Sequence, residues 1–326
     1  MGFWHRGMSA TIVATLGMML FAGQSLAQTN WPEKPVRVTI GFVAGSGADI
    51  LTRYYTRKLE ELTKQSWIVD NKAGASGNIA TRTVTTSAPD GYNLLFLANS
   101  GIVGSKFLFK DLPFDTMKEL RPVASFASII FILVIDPKSE VKTVTDLVAK
   151  MKGKKDNLFG FTNPTGLLAA ESIKIITGMP AKSVSYKTTA DAMRDIQQGS
   201  LDFMVMDGTF ATQQVKQNQL KALAVTTAER MPALPDVPPL KDAGVPGFDF
   251  SPWWSVYAPT GTPQPIMDKL EGLIKQINDM PETKTFLESV GSVPTFYTGK
   301  EAYAKLQKEE TDIWPPLVKA AAIEPQ

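Results

Sequence analysis

The chain of 326 residues contains no cysteine and a single histidine, His5. Without thiols there is no disulfide, no cysteine nucleophile and no thiolate metal site. With its one histidine at the very start, the body of the chain has no Ser-His-Asp arrangement and no histidine-ligated zinc. Carboxylate pairs, lysine nucleophiles and oxygen-ligated metals remain, so an enzyme is disfavoured. No catalytic residue, metal or cofactor is expected. A dominant charge is also missing. The 34 Lys and Arg against 32 Asp and Glu leave a net charge of +2, spread evenly along the chain. A nucleic-acid surface would show a basic stripe, so nucleic acid is not expected as a partner. Beyond the first residues no apolar run reaches the roughly 20 residues that span a bilayer.

What is present is ordinary globular composition, 44% hydrophobic and 20% charged, enough for one large or two medium domains. The N-terminus has the build of an export signal. His5 and Arg6 precede an apolar stretch over 11–22, and Ser25-Leu26-Ala27 supplies small residues before a cut. Residues 1–27 are therefore predicted to be a cleaved signal peptide, with the mature chain starting near Gln28. An uncleaved anchor is the alternative. No cysteine stands near the cut, which excludes a lipoprotein.

Periodicity then predicts an α/β order. "VRVTIGF" (36–42) alternates as a strand, 49–63 has helical spacing, and 67–70 is a second strand. A Gly-rich loop over 71–78, a helix over 79–86 and a buried strand over 93–98 follow. A second set fills 127–240. It has a very apolar strand over 128–135, helices over 141–153, 167–177 and 189–198, and strands over 157–161, 184–186, 201–207 and 220–227. A Pro-rich irregular crossing leads to a strand from Trp253 and to helices over 265–280, 284–290 and 300–314. Alternating strands and helices of this kind build an α/β fold.

The stretch "GFVAGSGADI" (41–50) carries the chemistry. Glycine at positions 45 and 47 lets backbone approach a ligand, and the amides of the helix start that follows carry partial positive charge. An anion can bind there without Arg or Lys. The alternative is a plain strand-to-helix turn with Asp49 as the helix cap. The Gly-rich loop over 73–78 lacks a P-loop lysine, so nucleotide binding is not supported.

The chain resembles the periplasmic solute receptors of tripartite tricarboxylate transporters, the Bug proteins. The resemblance is carried by "WPEKPVRVTIGF" (31–42), "GSGADILTR" (45–53), "VDNKAGASGNIA" (69–80), "APDGYNLLF" (88–96) and "LPFDTMKELRPVA" (112–124). It continues through 220–248, "APTGTP" (258–263) and "WPPLVKAAAIEP" (314–325), in the same order along nearly the whole mature chain.

It implies a two-domain periplasmic-binding-protein clamshell with discontinuous domains and a central ligand cleft. Domain 1 would comprise 28–126 plus 249–326, and domain 2 would comprise 127–248. The chain would cross near Ala127 and Phe248, with ligands where strand C-termini and helix N-termini converge. It further implies a small carboxylate ligand, delivery to the membrane permease subunits of such a transporter, a monomer, and a bacterial periplasmic location. A carboxylate sensor feeding a two-component system and a histidine-free hydrolase or lyase on the same scaffold are the alternatives.

The ligand contacts implied in the first loop are Ala44, Gly45, Ser46, Gly47 and Ala48. The family's second carboxylate loop maps onto 160–166, giving Phe161, Thr162 and Thr165. That loop is shorter than the family pattern and carries Phe161 and Pro164. Phe161 either faces the ligand as an apolar wall or fills the core. An apolar wall would favour an aromatic or longer-chain carboxylate over a compact trianion, whereas a core-facing Phe161 with water in the gap would restore a small dicarboxylate. Asn99 and Ser100, after a strand end, either donate to the ligand or form a turn. Asp207 either orients a ligand amine or hydroxyl or caps the next helix. For Thr188, Thr189, Trp253 and Trp254, capping and core packing are the expected roles.

Overall fold

The computed structural model describes residues 30–250, 252–320 and 323–325, with the backbone alone at Asn99, Ser100, Lys300 and Ala320. The predicted signal over 1–27 lies outside the described residues.

The first strands alternate with helices: β1 (Val36–Ile40), α1 (Gly47–Thr63), β2 (Trp67–Asn71), α2 (Asn78–Thr85), β3 (Asn93–Ala98), α3 (Asn99–Leu108), α4 (Thr116–Glu119) and β4 (Leu120–Ile129). After Ile130 come β5 (Phe131–Ile135), α5 (Val144–Lys152), β6 (Leu158–Phe161), α6 (Pro164–Thr177), β7 (Lys182–Ser185), α7 (Thr189–Gln197), β8 (Phe203–Asp207), α8 (Gly208–Lys216) and β9 (Lys221–Val225). The chain closes with β10 (Trp253–Pro259), α9 (Gln264–Asn278), α10 (Pro281–Ser289), β11 (Ser292–Pro294) and α11 (Lys300–Ala320).

Two mixed sheets result. One has the order β11-β4-β10-β3-β1-β2, the other β7-β6-β8-β5-β9. In the first sheet β1 pairs in parallel with β2 and β3, while β10 runs antiparallel between β3 and β4. In the second, β6 pairs in parallel with β7 and β8, and β5 runs antiparallel between β8 and β9. The inner strands β3 and β8 read as near-continuous apolar runs, as strands buried on both faces do. Leu94 to Phe96 of β3 and Phe203 to Met206 of β8 are almost wholly buried.

Helix α1 shows how local sequence sets an element. Ser46 caps its start, Lys64 closes it in a left-handed conformation, and Leu51, Tyr55 and Leu59 are fully buried between. Each such side chain contributes about 1.5–3 kcal/mol by leaving water. The Tyr54 ring stacks on Phe286 of α10, with centroids 3.9 Å apart.

Three elements differ from the sequence expectation. The apolar run 128–135 is not one strand. It breaks at Ile130, with β4 in the first sheet and β5 in the second. Ile130 gives its N–H to Gly291 O (3.1 Å), and its carbonyl accepts from Gly208 N–H (2.9 Å), so each backbone group is satisfied at the switch. Asn99 does not open a turn, because α3 starts directly at the end of β3. The last helix does not stop at Trp314 but continues through Pro315 and Pro316. Trp314 is fully buried over Gly104, where a Cβ would collide with its indole ring, and this packing holds the helix on course where proline alone would end it.

Candidate functional site

The strand ends that matter lie together. β1 and β3 end at Ile40 and Ala98, and the antiparallel β10 brings Trp254 beside Ala98. In the second sheet β8 ends at Asp207, paired with Phe131 at the start of β5. Ile130 joins the two edges. Helix α1 packs against α8, and α3 against α6, so the helices that open at these edges meet across the junction.

The first loop is built around Asp49, the third residue of α1. Its Oδ2 accepts from Gly45 N–H (2.9 Å) and Arg53 Nε–H (2.8 Å), and its Oδ1 accepts from Asn71 Nδ2 (2.9 Å). The same Asn71 amide donates to Phe42 O at 3.0 Å, fixing the exit from β1. Burial raises the Asp49 carboxyl, but the Arg53 hydrogen bond, the Gly45 amide and Asn71 outweigh it and hold it below its ordinary value. Asp49 is therefore not the helix cap. Ser46 is: its hydroxyl accepts from Asp49 N–H (3.3 Å) and donates to Val43 O (2.7 Å). Gly45 adopts φ +80°, which a side chain would disfavour.

Ala44 and Gly45 are exposed, Ser46 is half-buried, and Gly47 and Ala48 are buried. The Gly45 and Ser46 amides are already used, by Asp49 Oδ2 and by Val43 O. The amides of Gly47 and Ala48 have no acceptor among the described residues. Both residues are buried and open the helix, where the first N–H groups have no intrahelical acceptor and carry its positive end.

Asp207 closes on this point from the other sheet. A Cβ at Gly47 would stand 2.7 Å from Asp207 Cγ and 2.9 Å from its Oδ2, so only glycine admits the carboxylate there. Asp207 also caps α8, with Oδ1 accepting from Thr209 N–H at 2.7 Å. Of the two roles foreseen for this position, the cap is present. The carboxylate makes no ion pair among the described residues. Burial pushes its carboxyl up from the ordinary value, against the pull of the Thr209 and Phe210 amides and the Thr209 hydroxyl.

The second loop is shorter than the sequence suggests. β6 runs to Phe161 and α6 begins at Pro164, so Thr165 lies in the first helical turn and is buried. Asn163 caps α6, accepting from Gly166 N–H at 2.9 Å. Phe161 and Thr162 are half-buried beside it, and Asn163 Nδ2 donates to the Thr162 hydroxyl at 3.3 Å. Phe161, Thr162 and Thr165 stand one strand further along the second sheet than Asp207. Asn99 and Ser100 form the first turn of α3, at the end of β3.

One residue went unnoticed in the sequence. Asn78, the first residue of α2, is 8% exposed, and its side-chain Nδ2 is buried without a hydrogen-bond partner. Gly77 before it backs directly onto Gly41 at the exit of β1. The signal was an amide residue closing a Gly-rich run beside the first loop. The loop itself carries four consecutive positive φ angles, Gly74 to Gly77. Thr188 caps α7 through Asp191 N–H, Trp254 is buried against Phe42, and Trp253 meets Tyr297 edge-on.

A cavity of about 480 Å³ lies at the opposite end of β5 and β8, lined by Asp136, Glu140, Lys150, Lys154 and Asp202 among others. Its Asp202 is already paired with Lys154 (2.7 Å) and accepts from Leu158 N–H, so it is a separate, structural feature. Among the described residues no group of acids and histidines is arranged to hold a metal, and no helix is long and apolar enough to cross a membrane.

Residues 51–323 match the family model described as the tripartite tricarboxylate transporter family receptor. The chain belongs to this family. It is 29% identical over 324 residues to a UPF0065 protein of Bordetella bronchiseptica, covering 98% of this chain and 95% of that one. Among solved structures it is similar to Rpa4515 of R. palustris with adipate, with a TM-score of 0.86 at 27% identity over 91% of this chain and 100% of that one. It is also similar to the periplasmic binding protein BugD, with a TM-score of 0.82 at 26% identity over 91% of this chain and 100% of that one. The fold is that of the periplasmic binding proteins, and the receptor family to which the chain belongs is one of solute-binding proteins.

Proposed function

We propose that this chain is a periplasmic receptor that captures a small carboxylate and presents it, chemically unchanged, to the permease subunits of a tripartite tricarboxylate transporter. The observation that carries the reading is the pair of amides of buried Gly47 and Ala48, unclaimed among the described residues, at the N-terminus of a 17-residue helix in a chain of this receptor family. Such a helix start binds a carboxylate with backbone N–H groups alone. The R. palustris relative with adipate supports the same ligand class.

In this reading residues 1–27 are removed on export and the receptor works as a monomer. Residues 28–126 with 249–326 form one lobe and 127–248 the other. The ligand contacts are Ala44 to Ala48, Asn99, Ser100, Phe161, Thr162, Thr165 and Asp207, joined by Asn78. Closure of the two lobes around the ligand would reduce the radius of gyration, which scattering on free and saturated protein measures.

The test is a thermal-shift screen over aliphatic, aromatic and amino-substituted carboxylic acids. A ligand that binds only the folded state raises the melting temperature by mass action, about 2.7 kcal/mol at a hundred times its Kd. Mass spectrometry of the released ligand should return it unaltered. A screen in which no acid shifts the transition, or a ligand released as product, rejects the reading.

A further inference from the structure

We infer that Gly208 and Gly291 are positioning residues for ligand capture: their bare backbones meet between the two sheets, and the lack of a methyl group on either sets how closely the sheets approach. The inference rests on the receptor reading above and concerns the packing behind the ligand contacts, not the contacts themselves.

Three stretches of backbone converge at this point. Ile130 stands between β4 of the first sheet and β5 of the second. Gly208 opens α8 at the end of β8 in the second sheet, and Gly291 leads into β11 at the edge of the first. Ile130 N–H donates to Gly291 O at 3.1 Å, and Gly208 N–H donates to Ile130 O at 2.9 Å, so one residue ties both glycines. A Cβ on Gly208 would collide with Ile130 O and stand 3.2 Å from Gly291 O. A Cβ on Gly291 would stand 3.2 Å from the Gly208 carbonyl carbon and 2.9 Å from both Met231 Sδ and Thr212 Oγ1. Thr212 is held in place, because its hydroxyl donates to Gly208 O at 2.6 Å. The next residues repeat the approach: the hydroxyls of Thr209 and Ser292, both buried, lie 3.4 Å apart.

Gly291 has φ +74°, which by itself favours glycine. Gly208 has no positive φ, and it sits in a helix, where alanine is ordinarily the better residue by up to about 1 kcal/mol. Conformation therefore gives no reason for glycine at 208, whereas the approach of Ile130 and Gly291 does. Interiors packed to this density do not absorb a methyl group without a shift. Here the atoms in the way are backbone, so a methyl at 208 has to move the start of α8 away from β11. In the receptor reading only molecules at the native spacing hold the ligand from both sides. A methyl lowers the fraction of such molecules, and the apparent affinity falls by that fraction whichever acid is bound.

Calorimetry with adipate, glutarate, benzoate and L-glutamate, and with any further acid found by thermal shift, tests this on the wild type, Gly208→Ala, Gly291→Ala and the double variant. Gly261→Ala is the control, since Gly261 has φ +96° but a Cβ there would meet only Pro89, at 3.6 Å. Gly208→Ala, folded by circular dichroism, should weaken every acid that binds the wild type at least tenfold and by a common factor. Its saturated form should have a larger radius of gyration than the saturated wild type. The double variant should lose no more than threefold beyond Gly208→Ala, because one methyl already opens the gap, whereas unrelated losses multiply. Gly261→Ala should bind as the wild type does. Unchanged Kd values in folded Gly208→Ala, losses that differ more than threefold between acids, or single losses that multiply in the double variant overturn the inference and leave the receptor reading standing. If Gly208→Ala does not fold, Gly291→Ala carries the same test with the same common loss and the same comparison of radii. If no acid binds the wild type, the receptor reading itself fails and the inference falls with it.

Discussion

The strand-to-helix junctions after β1 and after β6 look alike in outline and differ in what they can donate. In each, a polar side chain caps a helix: Ser46 for α1 and Asn163 for α6. The first leaves the amides of Gly47 and Ala48 unclaimed among the described residues. The second starts on Pro164, which has no N–H, spends Gly166 N–H on the Asn163 cap, and gives Leu167 N–H to Asn163 O. The lesson is that a shared topology does not make two equivalent anion seats. The first junction is stocked with donors and braced from below by Asp49. The second offers half-buried Phe161 and Thr162 in their place.

The harshest way to break this asymmetry is at Gly47. Gly47→Val places a side chain where Asp207 stands and should weaken carboxylate binding at least a hundredfold, about 2.7 kcal/mol. Calorimetry with an acid identified by thermal shift checks it, with circular dichroism confirming the fold, and an unchanged Kd would remove Gly47 from the site. Next in size, Asp49→Ala should destabilise the protein by about 2–3 kcal/mol, since it strands the Gly45 amide, Asn71 and Arg53. Denaturant unfolding measures this. Because the folded Asp49 carboxyl lies below its ordinary value, its contribution is complete above roughly pH 4 and fades as the pH falls through the folded value. The wild-type and Asp49→Ala stabilities should therefore converge in acid.

Smaller effects sharpen the contrast. Ser46→Ala removes the cap of α1 and should lower stability by about 1 kcal/mol, with only a modest loss of affinity, since the amides that would hold the carboxylate remain. Asp207→Asn should raise the melting temperature at pH 7. The raised folded carboxyl favours its proton, so the cost of the charge appears as the pH rises through that value and is absent below about pH 4. Scanning calorimetry across pH 3–8 would show a gap between variant and wild type that closes at the acid end.

Much of the first junction is legible in the sequence, because an alternating apolar strand and a helical repeat bracket its glycines and serine. The Ser46 cap was missed in favour of Asp49, since either residue type caps helices and only the backbone tells which one precedes the first turn. At the second junction the Asn163-Pro164 pair is a helix-start signal, cap then first-turn proline. The pair falls in the expected loop because the resemblance maps a carboxylate loop onto 160–166 and the helical repeat reads only from Leu167. The break at Ile130 had no local mark at all: "SIIFILVI" is apolar throughout, and only the partners on either side divide it between sheets. Helix α3 hid behind its Ser and Gly residues, one of which, Gly104, is there to admit Trp314. The Gly47–Asp207 approach joins residues far apart in sequence, and no periodicity could announce it.

That break at Ile130 has a use in instrumentation. On the outward path a single residue separates strands of the two sheets, with its amide held by Gly291 O and its carbonyl by Gly208 N–H. A turn of one sheet against the other would change the dihedrals of that residue and its neighbours. Dyes fixed to exposed Ile79 on one side and exposed Ile175 on the other would report such a turn as a change in energy transfer. Cysteines introduced at those positions would be the only thiols available to a maleimide, so the protein is ready-made for conversion into an optical gauge of its own ligand.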